Sequence, residues 1–259
     1  AGSCQINLST NTQDLTLNGE LATTSNSDTA IILNAGKGTA AGTSTGGNVI
    51  INGGTISIGT TGTAKLYSGA TSNTTLASLI NPTNADSGKF RNNSAEGDPN
   101  YTTALTTGAG NIYGIYREQP TVTPTANDAS KTYDGNPYSG GNGVTYSGFV
   151  NGDTSSVLGG PLAYGCTSQG AVDATTYTIE PSGYTNGLGY ALAYADGTLT
   201  INPAALTLIT GNLTGTVSKV YDGTNTATLT SANYQLTGWV VGDDATVTKT
   251  SGTYDNANA

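Results

Sequence analysis

The side chains best placed to do chemistry come as a set that occurs twice. Ser130-Lys131-Thr132-Tyr133-Asp134-Gly135 brings an amine, a phenol and a carboxylate within four positions, and Ser218-Lys219-Val220-Tyr221-Asp222-Gly223 repeats it. A second piece, Gly-aromatic-Val-x-Gly-Asp, follows each set: Phe149 and Asp153 belong to one copy, Trp239, Asp243 and Asp244 to the other. A lysine ahead of a strand with acids nearby is what a Lys–Asn or Lys–Asp crosslink uses; the plainer reading is an exposed ion pair, with Asp153 and Asp243 as partners for Lys131 and Lys219. Asp134, Asp153, Asp243 and Asp244 are hard oxygen donors in Gly-rich loops and so candidates for calcium. Neither an EF-hand nor a Gly-Gly-x-Gly-x-Asp nonapeptide accompanies them, and Asp in such a place also makes turns. No other cofactor is indicated.

Duplication itself argues for architecture. A catalytic set gains nothing from being copied, whereas a building module does. Tyr133 and Tyr221 each offer a large apolar body with one hydroxyl, suited to a half-buried strand end. Asp134-Gly135 and Asp222-Gly223 make turns, the Asp bonding backbone and the Gly supplying a positive φ. Phe149 and Trp239 occupy matching places and read as core anchors.

Composition narrows the function classes. Of 259 residues only 10% are charged and the formal net charge is -9. No cationic surface is available to neutralise a phosphate backbone, so nucleic acid is not a partner. With no histidine the commonest general base is missing. A pair of carboxylates could still work on a sugar, but Asp14, Glu20, Asp28, Asp86, Glu96 and Asp98 fall in separate turns and loops. Nucleophile elbows, phosphate loops and zinc spacings are absent. No stretch approaches the ~20 apolar residues of a membrane helix, so the chain is not membrane-embedded. The amino terminus lacks the basic-then-apolar order of a signal peptide, and Ala1 reads as a cut.

The elements that position these residues are strands. There are 37 glycines, and Thr, Val, Ile and Tyr between Gly and Asn turns favour an all-β chain. Residues 1–118 carry short runs in which Leu15-Thr16-Leu17-Asn18-Gly19, Ile31-Ile32-Leu33-Asn34-Ala35 and Val49-Ile50-Ile51-Asn52-Gly53 align. The asparagines recur at sixteen and eighteen positions, a loose period that predicts a parallel solenoid with Leu17, Leu33 and Ile51 stacked in its core and Asn18, Asn34 and Asn52 as a ladder. A meander with Asn-Gly hairpins is the other reading. The run "TLASLI" predicts a short helix with Leu76, Leu79 and Ile80 on one side.

Pro120 and Pro124 mark a boundary, since proline does not serve a central strand. Residues 119–204 form the first repeat module, with alternation placing Leu162, Tyr164 and Cys166 on one inward strand face and Cys166 as a buried thiol. Residues 205–259 open the second module, which stops at Ala259 where the first is only half complete. Two outcomes follow: a longer protein continues the module, or a neighbouring copy donates strands. Cys4 and Cys166 lie far apart in segments of different character, and a disulfide between them is not expected.

Together these residues resemble a family. "IILNAGKGTAAGTSTGGNVIINGGTISIGTTGTAKLYSG" looks like the last coils of filamentous-haemagglutinin-type surface adhesins exported by two-partner secretion. "ANDASKTYDGNPYSGG", "GFVNGD" and "DGTLTINPA" are similar to MBG domains, and "SKVYDGTNTATLT" and "GWVVGDD" to YDG domains. The resemblance implies a right-handed parallel β-helix followed by tandem β-sandwich or β-grasp-like modules. It also implies a secreted protein of the bacterial cell surface, associated with the outer membrane, that attaches cells to one another or to a biofilm matrix. Its partners would be a surface glycan, a matrix polysaccharide or a protein receptor, with homotypic association open. The alternatives are a carbohydrate-active β-helix enzyme and a self-assembling filament subunit. The family's amino-terminal secretion domain is absent from these residues.

Overall fold

Runs of β-branched and aliphatic residues this short, broken by Gly, Asn and Ser, allow strands and little else. In the computed structural model, which describes residues 4–73, 75–83, 87–205, 210–240 and 242–255, the amino-terminal runs become seven strands. They are β1 (Ile6–Thr10), β2 (Leu15–Leu17), β3 (Glu20–Ala22), β4 (Ile31–Ala35), β5 (Val49–Ile51), β6 (Thr55–Ser57) and β7 (Thr63–Ser68). Each pairs in parallel with the strand three places on: β1 with β4, β2 with β5, β3 with β6, and β4 with β7. Parallel register between strands three apart places like on like. Leu8, Leu33 and Leu66 share one row; Leu17 and Ile51 share another on a different sheet.

This corrects the expected period. Leu33 does not stack with Leu17 and Ile51, because β4 belongs to the sheet of β1 and β7. Ile31, Leu33, Ala35, Val49, Ala64 and Leu66 are fully buried in one core, and Ile51 packs against it. The turns stack closely enough that a Cβ on Gly47 would run into the Gln13 carbonyl, and its φ of 103° also calls for glycine.

Helix α1 (Thr75–Ile80) forms where expected, capped by Asn73, whose Oδ1 accepts from the Thr75 N–H at 3.3 Å. Leu76 is buried, with Leu79 and Ile80 against the same core. Strands β8 (Phe90–Arg91) and β9 (Asn111–Tyr116) follow, β9 lying parallel to both β7 and β8. Two arginines then tie separate segments together through backbone carbonyls. Arg117, 1% exposed, donates to the carbonyls of Ala35 (2.6 Å), Thr45 (2.9 Å) and Gly47 (2.7 Å). Arg91 donates to the carbonyls of Gly88, Phe90, Thr103 and Ala104 and lies over the rings of Tyr101 and Tyr113. Burial lowers the pKa of both.

The proline-bearing segment is itself a strand, β10 (Thr121–Ala126), and a central one. The elements after it are β11 (Ala129–Thr132), β12 (Val144–Ser147), β13 (Leu158–Gly159), β14 (Ala163–Gly165), β15 (Thr176–Ser182), β16 (Thr185–Asn186), β17 (Ala191–Leu192) and β18 (Gly197–Asn202). β10 lies between antiparallel β12 and parallel β17. Ala193 donates to Val122 and Ala195 to Pro124, while Ala126 donates back to Ala195. The donor that this parallel ladder would take from position 124 is the one proline lacks, and the ladder with β17 breaks off after Val122–Leu192. Proline is thus tolerated at the cost of a shortened neighbour.

The chain divides into two compact units: Ala1–Asn127, Gly141–Gly165 and Glu180–Gly197 form one, and Asp128–Gly140, Cys166–Ile179 and Thr198–Ala259 the other. Within the first, Val122, Leu188 and Tyr190 make a small core that Phe149, Val150, Val157 and Leu192 complete. Within the second, β11 runs parallel to β18. β19 (Thr210–Leu213) pairs with β21 (Tyr234–Thr237), and β20 (Thr226–Thr228) with β22 (Ser251–Thr253), both antiparallel. Among the described residues the architecture is all-β with one short α-helix and several small sheets, parallel at the amino-terminal side and mixed beyond. Asp86, Ala1 and Ala259, on which some of the sequence expectations rest, lie outside the described residues.

Candidate functional site

The duplicated residues build the same two loops twice. In the first loop Lys131 Nζ donates to Asp134 Oδ1 at 2.7 Å, and Lys219 Nζ donates to Asp222 Oδ1 at 2.7 Å. The same carboxylates accept from the backbone two residues on, Asn136 at 3.0 Å and Thr224 at 2.9 Å, which is the Asx-turn geometry an Asp-Gly pair favours. Gly135 and Gly223 close the turns at φ of 74° and 75°. The lysines therefore pair within their own turn, three residues away, and not with Asp153 or Asp243 as expected. Proximity in sequence supplies the partner before any distant carboxylate can. The lysine and backbone donors hold Asp134 below the usual carboxylate range and bring Asp222 down to about 2.

The second loop also repeats in detail. Gly148 and Gly238 open it at φ of 90° and 105°, Gly152 and Gly242 close it at 84° and 100°. The Asp153 N–H donates to Val150 O at 3.1 Å, and the Asp243 N–H to Val240 O at 3.0 Å. What differs is what each carboxylate meets. Asp153, 6% exposed, accepts from the Gly88 N–H at 2.8 Å and from Tyr190 Oη at 2.7 Å. Burial pushes its carboxyl up, and the Gly88, Tyr190 and Arg91 donors and charge oppose that. Asp243 instead accepts from Tyr133 Oη at 2.5 Å. That bond raises the pKa of the Tyr133 hydroxyl.

Each carboxylate thus takes a donor from earlier chain, the Gly88 N–H for Asp153 and the Tyr133 hydroxyl for Asp243, and Asp153 also takes the later Tyr190 hydroxyl. Asn81 Nδ2 reaches Asn151 O at 3.4 Å, and the segment that carries Tyr190 is itself held, with Asn92 N donating to Leu188 O at 2.7 Å and Thr102 and Thr103 both donating to Gly187 O. Phe149 packs edge-on to Tyr190, with ring centroids 5.8 Å apart. Around Asp243 the loop faces a cleft whose walls include Tyr133, Asp173, Pro203, Trp239 and Val240. Trp239 is half-buried there.

The remaining candidates are placed as follows. Asn52 Nδ2 donates to Asn18 Oδ1 at 2.7 Å, whereas Asn34, on another sheet, donates to Glu96 Oε2 at 2.7 Å. Among the described residues no group of three or more His, Cys, Asp or Glu side chains is arranged to hold a metal. Of the four calcium candidates, Asp134 is bound to Lys131, Asp153 is buried against Gly88 and Tyr190, Asp243 takes the Tyr133 hydroxyl, and Asp244 is exposed beside it. Cys166 is an exposed free thiol in a one-turn 3-10 helix, with φ of 66°, and not a buried strand residue. β14 ends at Gly165, one residue before the alternation would have carried it inward. Sequence reasoning missed Gly88, Tyr190, Arg91 and Arg117. Their partners are carbonyls, backbone N–H groups and a distant carboxylate, which leave no residue-type pattern to read.

Residues 121–200 match the family model of the MBG domain (YGX type), and residues 202–259 match that of the YDG domain. A solved chain described as "a cell surface adhesin from lactobacillus reuteri" is 26% identical, over 32% of this chain and 97% of that one, with a TM-score of 0.21. No curated protein matches the sequence significantly.

Proposed function

We propose that this chain is part of an extracellular attachment protein of the bacterial surface. In this reading coils of a right-handed parallel β-helix, residues 1–118, lead into an MBG module over 119–204 and a YDG module over 205–259. The modules act as spacers or stalk, and attachment runs through non-covalent contact with a glycan, a matrix polysaccharide or a protein receptor. The observation that carries the reading is the tandem pair of loops with matched geometry, lying in segments that match two named repeat-domain families. The strand-to-third-strand parallel pairing supports the coil. The carboxylates support a role without turnover: Glu96 is bonded to Asn34, Asp14 to the Asn48 N–H, Glu118 to Thr71 and Asp153 to Gly88. Each of these four holds a backbone or side-chain group within the fold.

A panel of surface and matrix polysaccharides tests this with two readouts, binding and reducing-end release. Measurable binding or self-association with no release is expected. Release that disappears in a Glu96→Gln, Asp98→Asn double variant overturns the reading in favour of an enzyme.

A further inference from the structure

The segment that matches the MBG domain carries a pair of phenols that the repeated loops do not use. Tyr146, on β12, and Tyr184, between β15 and β16, hydrogen-bond to each other through their hydroxyls, with ring centroids 5.9 Å apart and planes at 52°. Both are half-buried. The Tyr146 ring also packs on Phe149, again at 5.9 Å. Tyr194 Oη accepts the Tyr184 N–H at 2.9 Å and donates to the Tyr184 carbonyl at 3.3 Å. Gly183, just before, has a φ of 94° and no room for a Cβ against the Pro161 carbonyl. Two phenols from distant parts of the chain are thus held with their oxygens in contact. An oxidant finds few other targets: the chain has no methionine, one tryptophan and two cysteines, against 15 tyrosines. The core beside the pair is small, built on Val122, Leu188 and Tyr190, and the one cysteine of residues 121–200 is a free thiol, so no disulfide braces it.

We propose that Tyr146 and Tyr184 form a modification site, at which a one-electron oxidant derived from a peroxide joins them into an intramolecular dityrosine that staples β12 to the Tyr184 turn. Each phenol gives one electron to the oxidant and its hydroxyl proton to solvent. The two phenoxyl radicals then pair their unpaired electrons in a carbon–carbon bond between ring positions next to the oxygens. The hydrogens on those two carbons move to the oxygens, which restores both phenols. Two electrons and two protons have left the protein, and they reduce one hydrogen peroxide to two waters. The coupling carbons neighbour the carbons that bear the hydroxyls, so a hydrogen bond between the hydroxyls already brings them within a small ring rotation of each other. The chain supplies the alignment and the oxidant the driving force. The new bond closes a loop across a small core, as a disulfide does elsewhere, but thiols do not reduce it. It depends on neither the glycan nor the receptor of the attachment reading.

Oxidation of the full chain by a ruthenium tris-bipyridyl photocatalyst with persulfate, followed by peptide mass spectrometry, tests it. The expected product is a pair of peptides joined through Tyr146 and Tyr184, two hydrogens lighter than its parts, in a chain that still runs as a monomer on a denaturing gel. At about 1 μM protein, a pair whose effective concentration is about 1 mM or more should outrun links between chains by about a thousandfold. Unfolding in concentrated guanidinium chloride before oxidation should remove the preference for this pair. Tyr146→Phe and Tyr184→Phe each keep a ring in place and remove one phenol, so each should abolish the link while thermal melts show the variant folded. Hydrogen exchange at β12 and β16 should be slower in the linked chain than in the unoxidised one. A folded chain whose links spread over other tyrosines, or join separate molecules, overturns the proposal. So does a Tyr146–Tyr184 link that forms as readily after unfolding. A chain that forms the link but binds no polysaccharide keeps this inference and loses the attachment reading, and one that binds without forming the link does the reverse.

Discussion

The amino-terminal parallel strands and the carboxy-terminal segment use their few charges in opposite ways. Arg117 and Arg91 are buried and donate to backbone carbonyls of several separate segments. Lys219 and Asp222 form a pair at the surface, with 26% and 54% of their side chains exposed. A buried guanidinium satisfies several acceptors at once in a medium where each lost bond is costly. An exposed ion pair is screened and adds little, and its value lies in fixing the turn. The same contrast runs through the two Gly-Asp loops: identical bends, but one carboxylate deep in a polar network and the other at the edge of an open cleft.

The largest effect expected is at Arg117. Replacing it by Met takes this donor from the carbonyls of Ala35 and Thr45 at about 1–3 kcal/mol each, while Gly47 keeps the Gly69 N–H, so the first unit should lose about 3 kcal/mol of stability. Chemical denaturation followed by hydrogen exchange in β4 and β7 measures this, and Lys219→Met should shift the midpoint far less. Equal shifts would erase the distinction between the regions.

Asp153→Ala comes next. It strands the Gly88 N–H and the Tyr190 hydroxyl, at about 1–3 kcal/mol. Asp243→Ala should release Tyr133 with little change in the midpoint of the first unit, which does not contain it. Thermal melts of the two variants side by side settle the order.

Acid separates the units by sign. Asp222, held at about 2 against an ordinary 3.8, contributes stability that is full above pH 4 and lost as pH falls through about 2. Asp134 is depressed for the same reason and acts in the same direction. Asp153 is raised by burial, so its folded form holds the proton more tightly than the unfolded chain does, and its contribution falls as pH rises through the window above 3.8. Between pH 4 and 2 the second unit should therefore loosen, whereas the contribution of protonated Asp153 to the first is by then already in place and stays level. Exchange rates of β20 and β9 amides across that range report it, and parallel losses in both would contradict the assignment. At the alkaline end the Tyr133–Asp243 bond should persist through pH 10 and fail as the raised Tyr133 pKa is passed.

Much of this was legible from residue types, because it is local. Asp-Gly turns, the helix at Thr75–Ile80 and the alternation in β18 depend on neighbours within a few positions. The pairing of the asparagine runs was not. Leu17-Asn18-Gly19, Leu33-Asn34-Ala35 and Ile51-Asn52-Gly53 look alike in sequence, but which sheet each strand joins depends on its partner, and that partner is the strand three places along. Asn18 meets Asn52 thirty-four positions on, with Asn34 on another sheet between them. Pro124 was misjudged for a related reason: the cost of a missing N–H depends on whether the neighbour needs it, and a shortened β17 does not. The exposed Cys166 shows the limit of alternation where a strand stops one residue early.

The central claim is that the carboxylate of each Gly-Asp loop is fixed by a donor from earlier chain, Gly88 for Asp153 and Tyr133 for Asp243, and the Gly88 amide tests it most directly. Measured by hydrogen exchange, this N–H should be strongly protected in the unaltered chain and lose that protection in Asp153→Ala. The Ser94 N–H, bonded to the Tyr116 carbonyl at 3.0 Å, should stay protected in both. A Gly88 amide that exchanges at the rate of an open loop while Asp153 is intact would contradict the account.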